Sequence, residues 1–509
     1  MNTLANAIKR TTNMTKTANG ALSLASTGNA LVDAFQRVPA SRANPSEGLK
    51  YWIKAYREDY VAAVALAFYV RDVRGGQKEK GVFKEILRWL FKEDIEVFNA
   101  IVKLVPEYGY WKDLIEFDSE AVADLITKQL ASDLDSEKCS LLAKWMPSIN
   151  ASSKATRTMG RGWANALGLS EKQYRKMLSH LRAKIGIVES KISEGNWSEV
   201  DYGSVPSVAN KNLSNAFLKH DGQRRKEFLS SVMRGEKKVK AGTLQPHELV
   251  HALRSKKIDA TSAEAIWKSL PDFTNGENAI VMADVSGSMT SGFKAGGAQP
   301  IDASIALAGY FAQRNTGAFK NLAITFSSAP KFLEVGDTLQ DVVDLFSRHD
   351  LMIGYSTDLQ AAFNLLLRTA VKNKVPKGEM PTKLYVVSDM EFNVADSDRL
   401  MQLAFCRMNG DAVAHREKTN FEAMKDKFNN AGYDMPVIVF WRLNSIENQF
   451  PASASDENVV LIGGLSSDTF ELVAKAIAKD EEKVTPESIM VNILTSERYA
   501  PVFDALAGR

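Results

Sequence analysis

Hydrophobic positions follow two different patterns along the chain. From about Leu31 to Leu270, apolar residues recur at helical spacing, as in the run Val61–Val70, and short polar turns interrupt them. Beyond Asn278, short apolar runs alternate with amphipathic stretches. This second pattern is typical of buried parallel strands and the helices that cover them. The chain is therefore predicted to have an α-helical N-terminal part and an α/β C-terminal part.

We predict four segments from this pattern. Residues 1–30, which are small and polar, should form a flexible arm, and residues 31–270 a helical domain. Residues 271–278 carry Pro, Gly and polar residues and should be a linker to a sheet domain over 279–509. The helical domain should hold ten or more helices in antiparallel pairs, stacked as an α-solenoid or a closed ring of helical hairpins.

The sheet domain is predicted to be a doubly wound parallel sheet, because strands and helices alternate in it. Strands are expected at 279–283, 321–326, 384–388, 436–441 and 458–462, and helices near 302–314, 358–370, 416–430 and 467–479. In such sheets, ligands bind outside the carboxyl ends of the strands. Polar residues at those ends are therefore candidate site residues.

Two of the apolar runs end in oxygen-rich motifs. Asp284, Ser286 and Ser288 have the spacing D-x-S-x-S after the first run, and Ser388-Asp389 follows the third. Carboxylate and hydroxyl oxygens suit a hard cation such as Mg²⁺, which keeps several waters and needs few protein ligands. The alternative is that both aspartates only cap strand ends.

These motifs, together with Thr357-Asp358 between them, resemble the metal-ion-dependent adhesion site of von Willebrand factor A domains. That site takes a D-x-S-x-S motif, a threonine and an aspartate from three loops. The resemblance implies Mg²⁺, or Mn²⁺ or Ca²⁺, as cofactor. It implies a ligand set of Asp284, Ser286, Ser288, Thr357 and Asp389.

Positive charge is concentrated in one part of the chain. The net charge is only +3, yet residues 151–260 contain 21 Lys and Arg against 10 Asp and Glu. This excess favours a surface that binds a polyanion, the alternative being a solvated basic surface without a ligand. The candidate phosphate contacts are Arg71, Arg74, Lys154, Arg175, Lys176, His180, Arg182, Lys184, Arg224, Arg225, Lys226, Lys237, Lys238 and Lys240.

Two further motifs leave alternatives open. Arg71-Asp-Val-Arg74-Gly-Gly lacks the Lys-Ser/Thr of a phosphate-binding P-loop, and it is also compatible with a helix corner held by Arg–Asp pairs. His247-Glu248-Leu-Val-His251 matches the zinc-protease pattern, with Glu248 as base, but only Asp259 or Glu264 lies close enough downstream to be a third ligand. A serine nucleophile paired with His349 or His415 is a further alternative.

Composition narrows the class of protein. No apolar run reaches the length of a membrane span, and the N-terminus has no apolar signal core. Cys139 and Cys406 lie far apart in apolar surroundings and are predicted to be buried free thiols in a reducing compartment. We therefore expect a cytoplasmic protein, most simply a monomer.

Several motifs together resemble the Ro/TROVE family of RNA-binding proteins. The segments are Arg71–Lys80 and Tyr110–Leu114. A TROVE-related family of plants, bacteria and phages is more similar still. Its patterns match the following segments: Ala143-Lys-Trp-Met-Pro147, Asn196-Trp197, Tyr202, Val205-Pro-Ser207, Phe217–His220, Leu244–Glu248 and Ser388–Phe392.

The resemblance implies a ring of HEAT-like helices completed by an A domain. It also implies a non-enzymatic function, the binding of structured or misfolded non-coding RNA, with single-stranded 3′ ends entering the ring. A metal-dependent protein-interaction module that grips an acidic partner, including a phage structural or accessory protein, is the second interpretation. A zinc hydrolase that uses His247 and His251 is the third.

Overall fold

The computed structural model describes residues 12–186, 188–274, 276–290, 298–326, 329–348, 358–392, 420–444, 449–479 and 483–507. Thr357, His349, His415 and Cys406 lie outside these residues, so the predictions made for them are not addressed by the fold. Among the described residues, no helix combines the length and the apolar character that crossing a membrane requires.

Residues 14–24 form an antiparallel hairpin within the segment 1–30, for which a flexible arm was predicted. Its strands are β1 (Met14–Lys16) and β2 (Leu22–Leu24), and Leu24 pairs with Phe450 in the C-terminal half. Short polar side chains bond this hairpin to the rest of the molecule, since Ser23 donates a hydrogen bond to the Phe450 carbonyl at 2.7 Å. The prediction of a flexible arm is therefore wrong for residues 12–30.

The predicted helical part is confirmed and contains sixteen α-helices within the described residues. They are α1 (Ala30–Arg37), α2 (Pro45–Glu58), α3 (Tyr60–Arg71), α4 (Gly81–Glu93), α5 (Ile95–Ile101), α6 (Val105–Tyr108), α7 (Glu120–Asp135), α8 (Leu142–Trp145), α9 (Lys154–Ala166), α10 (Glu171–Ile185), α11 (Val188–Ser193), α12 (Ser207–Asn212), α13 (Ser214–His220), α14 (Gly222–Met233), α15 (Pro246–Arg254) and α16 (Ala260–Lys268).

Helix α3 lies at the centre of the N-terminal core. Asp59 caps it by accepting a hydrogen bond from the Ala62 amide at 2.9 Å, and every residue from Ala63 to Arg71 is buried. A helix that is apolar on all sides must be covered on all sides. Helices α2, α4 and two C-terminal helices supply that cover.

Within the described residues, the C-terminal part is built on a six-stranded sheet with the strand order β5-β4-β3-β6-β7-β8. Its strands are β3 (Ala279–Asp284), β4 (Leu322–Phe326), β5 (Phe332–Glu334), β6 (Lys383–Ser388), β7 (Val437–Arg442) and β8 (Val459–Gly463). Its helices are α17 (Pro300–Arg314), α18 (Leu339–Phe346), α19 (Leu359–Lys372), α20 (Asn420–Asn430), α21 (Thr469–Ala478), α22 (Pro486–Leu494) and α23 (Ala500–Leu506). All strand pairs are parallel except β4–β5, so the five predicted strands are confirmed and an antiparallel edge strand is added.

Helices cover both faces of the sheet, which confirms the doubly wound architecture. On one face, Phe470 of α21 packs against Tyr385 and Trp441, with ring centroids 4.9 Å apart in each pair. On the other face, Phe421 of α20 packs against Phe440. Successive strand residues point to opposite faces, so the alternation of Phe440 and Trp441 directs one ring to each helix layer.

The helical part contacts the sheet part at both of its ends. Helix α1 packs against β8 so closely that a Cβ on Gly463 would lie 1.9 Å from the Gln36 carbonyl oxygen. At the other end, α15 packs along α17, and the C-terminal helices α22 and α23 return to pack on α3. The chain thus follows a closed path, in which the sheet part joins the first and last helices of the helical part.

Candidate functional site

Asp284 ends the central strand β3, and its carboxylate is fully buried. One carboxylate oxygen accepts a hydrogen bond from the Ser286 amide at 2.9 Å, and the other accepts one from the Ser388 hydroxyl at 2.6 Å. The first bond folds the chain back immediately after the strand, and the second reaches from the neighbouring strand β6. Asp284 is therefore held in one orientation by two elements.

Asp389 lies beside it because β3 and β6 are adjacent and parallel. Its carboxylate accepts the Glu391 amide at 3.1 Å and a hydrogen bond from the Ser288 side chain. The hydroxyls of Ser286 and Ser288 lie 3.1 Å apart. Four of the five predicted metal-site residues are thus brought together, and the fifth, Thr357, lies outside the described residues.

The two carboxyl groups are difficult to ionise together. Burial, followed by the charge of Asp389, raises the pKa of Asp284 to about 7. Burial also raises the pKa of Asp389, although its hydrogen bond to Ser288 and the charge of Arg442 lower it in part. Two buried carboxyl groups with neighbouring hydroxyls suit a divalent cation, since its charge would offset their repulsion. Among the described residues, no cluster of three or more His, Cys, Asp or Glu forms a metal site, so any site here depends on the hydroxyls.

Sequence reasoning did not assign roles to Ser388 and Arg442. The Ser388 hydroxyl bonds to Asp284, and the Arg442 guanidinium donates to the Asp389 carbonyl oxygen at 3.2 Å and to the Gln449 carbonyl oxygen. Burial and the nearby charge of Arg37 lower the pKa of Arg442 to about 9. The sequence offered one indication of these roles: Ser388 and Arg442 are polar residues that each end an apolar run predicted to be a buried strand.

The N-terminal hairpin fixes the segment that follows Asp389. Thr17 donates to the Phe392 carbonyl oxygen at 2.6 Å, and the Ala18 amide donates to the Glu391 carboxylate at 3.1 Å. The other Glu391 oxygen accepts the Gln449 side-chain amide at 2.5 Å. The hairpin is therefore part of the support of the candidate metal centre, a role that the sequence did not reveal.

The Arg71–Lys80 motif is a structural corner. Arg71 pairs with Asp113 at 2.8 Å, and both side chains are buried. Asp72 accepts two hydrogen bonds from Arg498, and Lys78 pairs with Asp468 at 2.8 Å. A Cβ on Gly76 would lie 2.2 Å from the Tyr69 carbonyl oxygen, so the turn requires glycine there. The motif joins α3 to the C-terminal part, as the helix-corner alternative predicts.

The two histidines of the zinc-protease pattern have different partners. Arg42 donates to Nε2 of His247 at 3.1 Å, and burial lowers the pKa of that buried ring. Nδ1 of His251 lies 2.9 Å from the Asp302 carboxylate, which also pairs with Arg254. A guanidinium at hydrogen-bond distance from His247 opposes a second cation there. The geometry therefore does not fit the zinc alternative.

The predicted basic residues divide by burial. Arg71 and Arg225 are buried, and Arg225 lies within 5.7 Å of the ring centroids of Tyr202, Phe217 and Phe228, so neither is available to a phosphate. This corrects the prediction for those two residues. Arg182 is half-buried and donates to three oxygens of the segment 143–148. The exposed members of the set are Arg74, Lys154, Arg175, Lys176, His180, Lys184, Arg224, Lys226, Lys237, Lys238 and Lys240.

Cys139, predicted to be a buried free thiol, is free but only half-buried. Its sulfur lies 3.2 Å from the Asp133 carbonyl oxygen in the turn after α7. The apolar neighbours in sequence did not indicate that the turn leaves one side of the thiol accessible.

Two family models match the chain, both described as domains of unknown function. DUF2828 matches residues 17–125 and 163–275, and DUF7788 matches residues 278–498. An uncharacterised protein of Acanthamoeba polyphaga mimivirus, L728, is 28% identical over 96% of this chain and 89% of its own length. Among solved structures, the Ro (RSR) protein of Deinococcus radiodurans aligns over 91% of this chain and 93% of its own, with 12% identity and a TM-score of 0.36.

Proposed function

We propose that the protein binds RNA without acting as an enzyme, through an exposed basic surface of its helical part. The observation that carries the proposal is the set of exposed lysines between residues 154 and 240. Lys154, Lys176, Lys226, Lys238 and Lys240 are exposed, and no carboxylate among the described residues pairs with them. Unpaired cations on one stretch of chain favour a polyanion, and RNA backbone is the natural one.

The sheet part would hold a divalent cation in this proposal. Asp284, Ser286, Ser288 and Asp389 fit the cation through their oxygens, and Thr357 is proposed as the remaining ligand. A bound Mg²⁺ would neutralise the two buried carboxylates and leave coordination positions for an acidic group of a partner. The free thiol of Cys139 supports placement in a reducing, cytoplasmic compartment.

The test is a binding series with structured RNAs that carry or lack a single-stranded 3′ tail. We expect tailed RNA to bind more tightly. The affinity should fall with salt at a slope of about −0.7 per contacted phosphate of a single strand. Lys226→Gln/Lys238→Gln/Lys240→Gln should weaken the binding of all RNAs and flatten the slope, as the loss of phosphate contacts does.

The matched control removes three exposed lysines from the sheet part, Lys320→Gln/Lys372→Gln/Lys479→Gln, and should bind like the original protein. If neither RNA binds below about 10 µM at about 100 mM salt, where non-specific binding alone often reaches micromolar, the RNA proposal fails. The metal-dependent protein-interaction module would then replace it.

A further inference from the structure

A groove lies on the helical part between α8 and α10, outside the lysines used above except for Lys176. It consists of two concavities of about 490 and 540 Å³ that share Ser148 and Arg182 as their common wall. Lys172 and Lys176 line the concavity of about 490 Å³, and Lys112 and Trp145 line the one of about 540 Å³. We call this surface the Trp145 groove.

The groove carries uncompensated positive charge. Lys112, Lys172 and Lys176 are exposed, and none of them pairs with a carboxylate among the described residues. The carboxylate that lines it, Glu116, is already shared by Lys84 at 3.3 Å and Arg88 at 3.0 Å. The groove therefore favours an anionic occupant.

Trp145 lies in this groove with two lysine side chains over its ring. Nζ of Lys112 lies 5.2 Å from the indole centroid and Nζ of Lys144 lies 5.9 Å from it. The ring is half-buried, and Tyr110 packs near it with centroids 5.8 Å apart. Lys144 pairs with Glu189 at 3.8 Å, whereas Lys112 has no carboxylate partner among the described residues. An aromatic ring next to such a lysine is the combination that stacks a base and holds its flanking phosphates.

The hydrogen bonding of Trp145 differs from that of the chain's structural tryptophans. The indole N–H groups of Trp52, Trp163 and Trp441 donate to backbone carbonyls at 2.7, 3.1 and 2.8 Å. The Trp145 N–H has no acceptor among the described residues, although that atom is buried. A buried N–H group without a protein acceptor costs stability unless water or a ligand accepts its hydrogen bond.

The segment that carries Trp145 is held rigidly. Arg182 donates to the carbonyl oxygens of Ala143 and Met146 at 2.9 and 2.7 Å, and to the Ser148 hydroxyl at 2.8 Å. The Tyr174 hydroxyl donates to the Pro147 carbonyl oxygen at 3.0 Å. A platform fixed before binding loses less entropy when a ligand stacks on it.

We propose that the Trp145 groove binds a single-stranded stretch of RNA, with one unpaired base stacked on Trp145 and the adjoining phosphates at Lys112, Lys172 and Lys176. This inference rests on the proposed function, since it assigns a base-contacting site to the same helical part. An acidic peptide is less well matched, because a carboxylate chain has no flat group to stack on the indole.

The test compares two fluorescent oligomers of about ten units, within the range of single-strand site sizes, by polarisation at fixed salt. One is oligouridine, and the other is an abasic ribose-phosphate chain with the same number of phosphates. The original protein should bind oligouridine about tenfold more tightly, as expected for one stacked base. Trp145→Leu should lose that preference while it keeps its affinity for the abasic chain.

Lys112→Gln/Lys176→Gln should instead lower the affinity for both oligomers equally. It should also flatten the salt dependence of the affinity by about 1.4, the value for two lost phosphate contacts. The matched control Lys320→Gln/Lys372→Gln removes the same charge from the sheet part and should bind as the original protein does. Trp145→Tyr keeps an aromatic face and should keep the preference that Trp145→Leu loses. Where Trp145→Leu fails to fold, the lysine pair decides whether the groove is the site.

Each contrary outcome overturns the inference. If oligouridine binds but Trp145→Leu keeps the preference for it and the lysine pair leaves its affinity unchanged, the groove is not the site, while the proposed function stands. If polyglutamate of equal charge binds as tightly as oligouridine, the groove takes acidic peptides. If the original protein binds no RNA in either assay, the proposed function fails together with the inference.

Discussion

Asp284 is the residue at which the fold and the proposed function meet most directly. It is fully buried at the end of β3, next to the carboxyl group of Asp389, and no cationic side chain in the described part of the chain forms a hydrogen bond with it. Such an arrangement stabilises the protonated acid or a metal-bound carboxylate, but not the bare anion. Its titration therefore offers a test of the metal site.

We predict that metal-free protein loses stability as the pH rises. The pKa of Asp284 is raised from 3.8 to about 7, so the folded state binds this proton more tightly than the unfolded state does. Between those values the contribution to the free energy of unfolding should fall by up to about 1.4 kcal/mol per pH unit. Urea unfolding in EDTA at about pH 5.5 and about pH 8 measures this loss of free energy of unfolding. The same experiment on Asp284→Asn gives the reference without the titrating group.

Mg²⁺ should restore the lost stability mainly at the higher pH, where the carboxylates are ionised and the cation does not compete with a proton. Asp284→Asn should unfold with a smaller pH dependence and show no gain from Mg²⁺. The metal site would be contradicted if the urea unfolding midpoint at about pH 8 is the same in Mg²⁺ and in EDTA, in protein shown to start metal-free.

At the scale of elements, the corner after α3 and the N-terminal hairpin both join segments that are distant in the sequence. Each is a short segment whose polar side chains bond to parts of the chain hundreds of residues away: Thr17 to Phe392, Asp72 to Arg498 and Lys78 to Asp468. These contacts join the helical part to the sheet part. Arg71 and Lys78 of the corner therefore stabilise the fold, and Arg71 is not proposed to bind RNA.

Arg71→Ala is expected to destabilise the protein by about 3 kcal/mol or more, because it leaves the Asp113 carboxylate buried without its partner. A double-mutant cycle with Asp113→Ala, followed by urea unfolding, should show a large coupling between the two residues. In protein that remains folded, RNA affinity should be unchanged. If Arg71→Ala has normal stability but binds RNA more weakly, Arg71 contacts RNA after all.

At the scale of the whole molecule, the last described helices of the sheet part pack on the first helices of the helical part. Helices α22 and α23 cover α3, and Arg498 reaches Asp72, which is fully buried. The Tyr108 ring stacks on that of Tyr499, with centroids 5.9 Å apart. The last residues of the sheet part thus belong to the core of the first helices.

Deletion of residues 485–509 is therefore expected to destabilise the N-terminal helices and not only the sheet part. It exposes the apolar face of α3 and leaves the Asp72 carboxylate without Arg498. Far-ultraviolet circular dichroism should show a broadened thermal transition at lower temperature. Hydrogen exchange should show faster exchange in α3 amides. If the α3 amides of the truncated chain are as well protected from hydrogen exchange as before, the packing of α22 and α23 is not needed to stabilise α3.

The sequence by itself determined the class of fold and most elements of the sheet. Five strands were predictable because runs such as Ala279–Ala283 are short, apolar throughout and bounded by turn residues, which is typical of a strand buried on both faces. The D-x-S-x-S motif and Ser388-Asp389 were recognisable as one candidate site because parallel strands end at the same edge of a sheet. The basic surface was equally visible, as a count of charges.

Only the tertiary structure decided which polar residues are available. Arg71 and Arg225 read as surface cations, yet the packing of distant segments encloses them; Thr17 and Ser23 read as a mobile arm, yet their partners lie in the C-terminal half. The Trp145 groove also became visible only in three dimensions, since Lys112, Trp145 and Lys176 come from three separate helical segments. The physical reason is the same in each case: hydrophobic periodicity records local burial, whereas pairing across long sequence separations depends on how the elements pack.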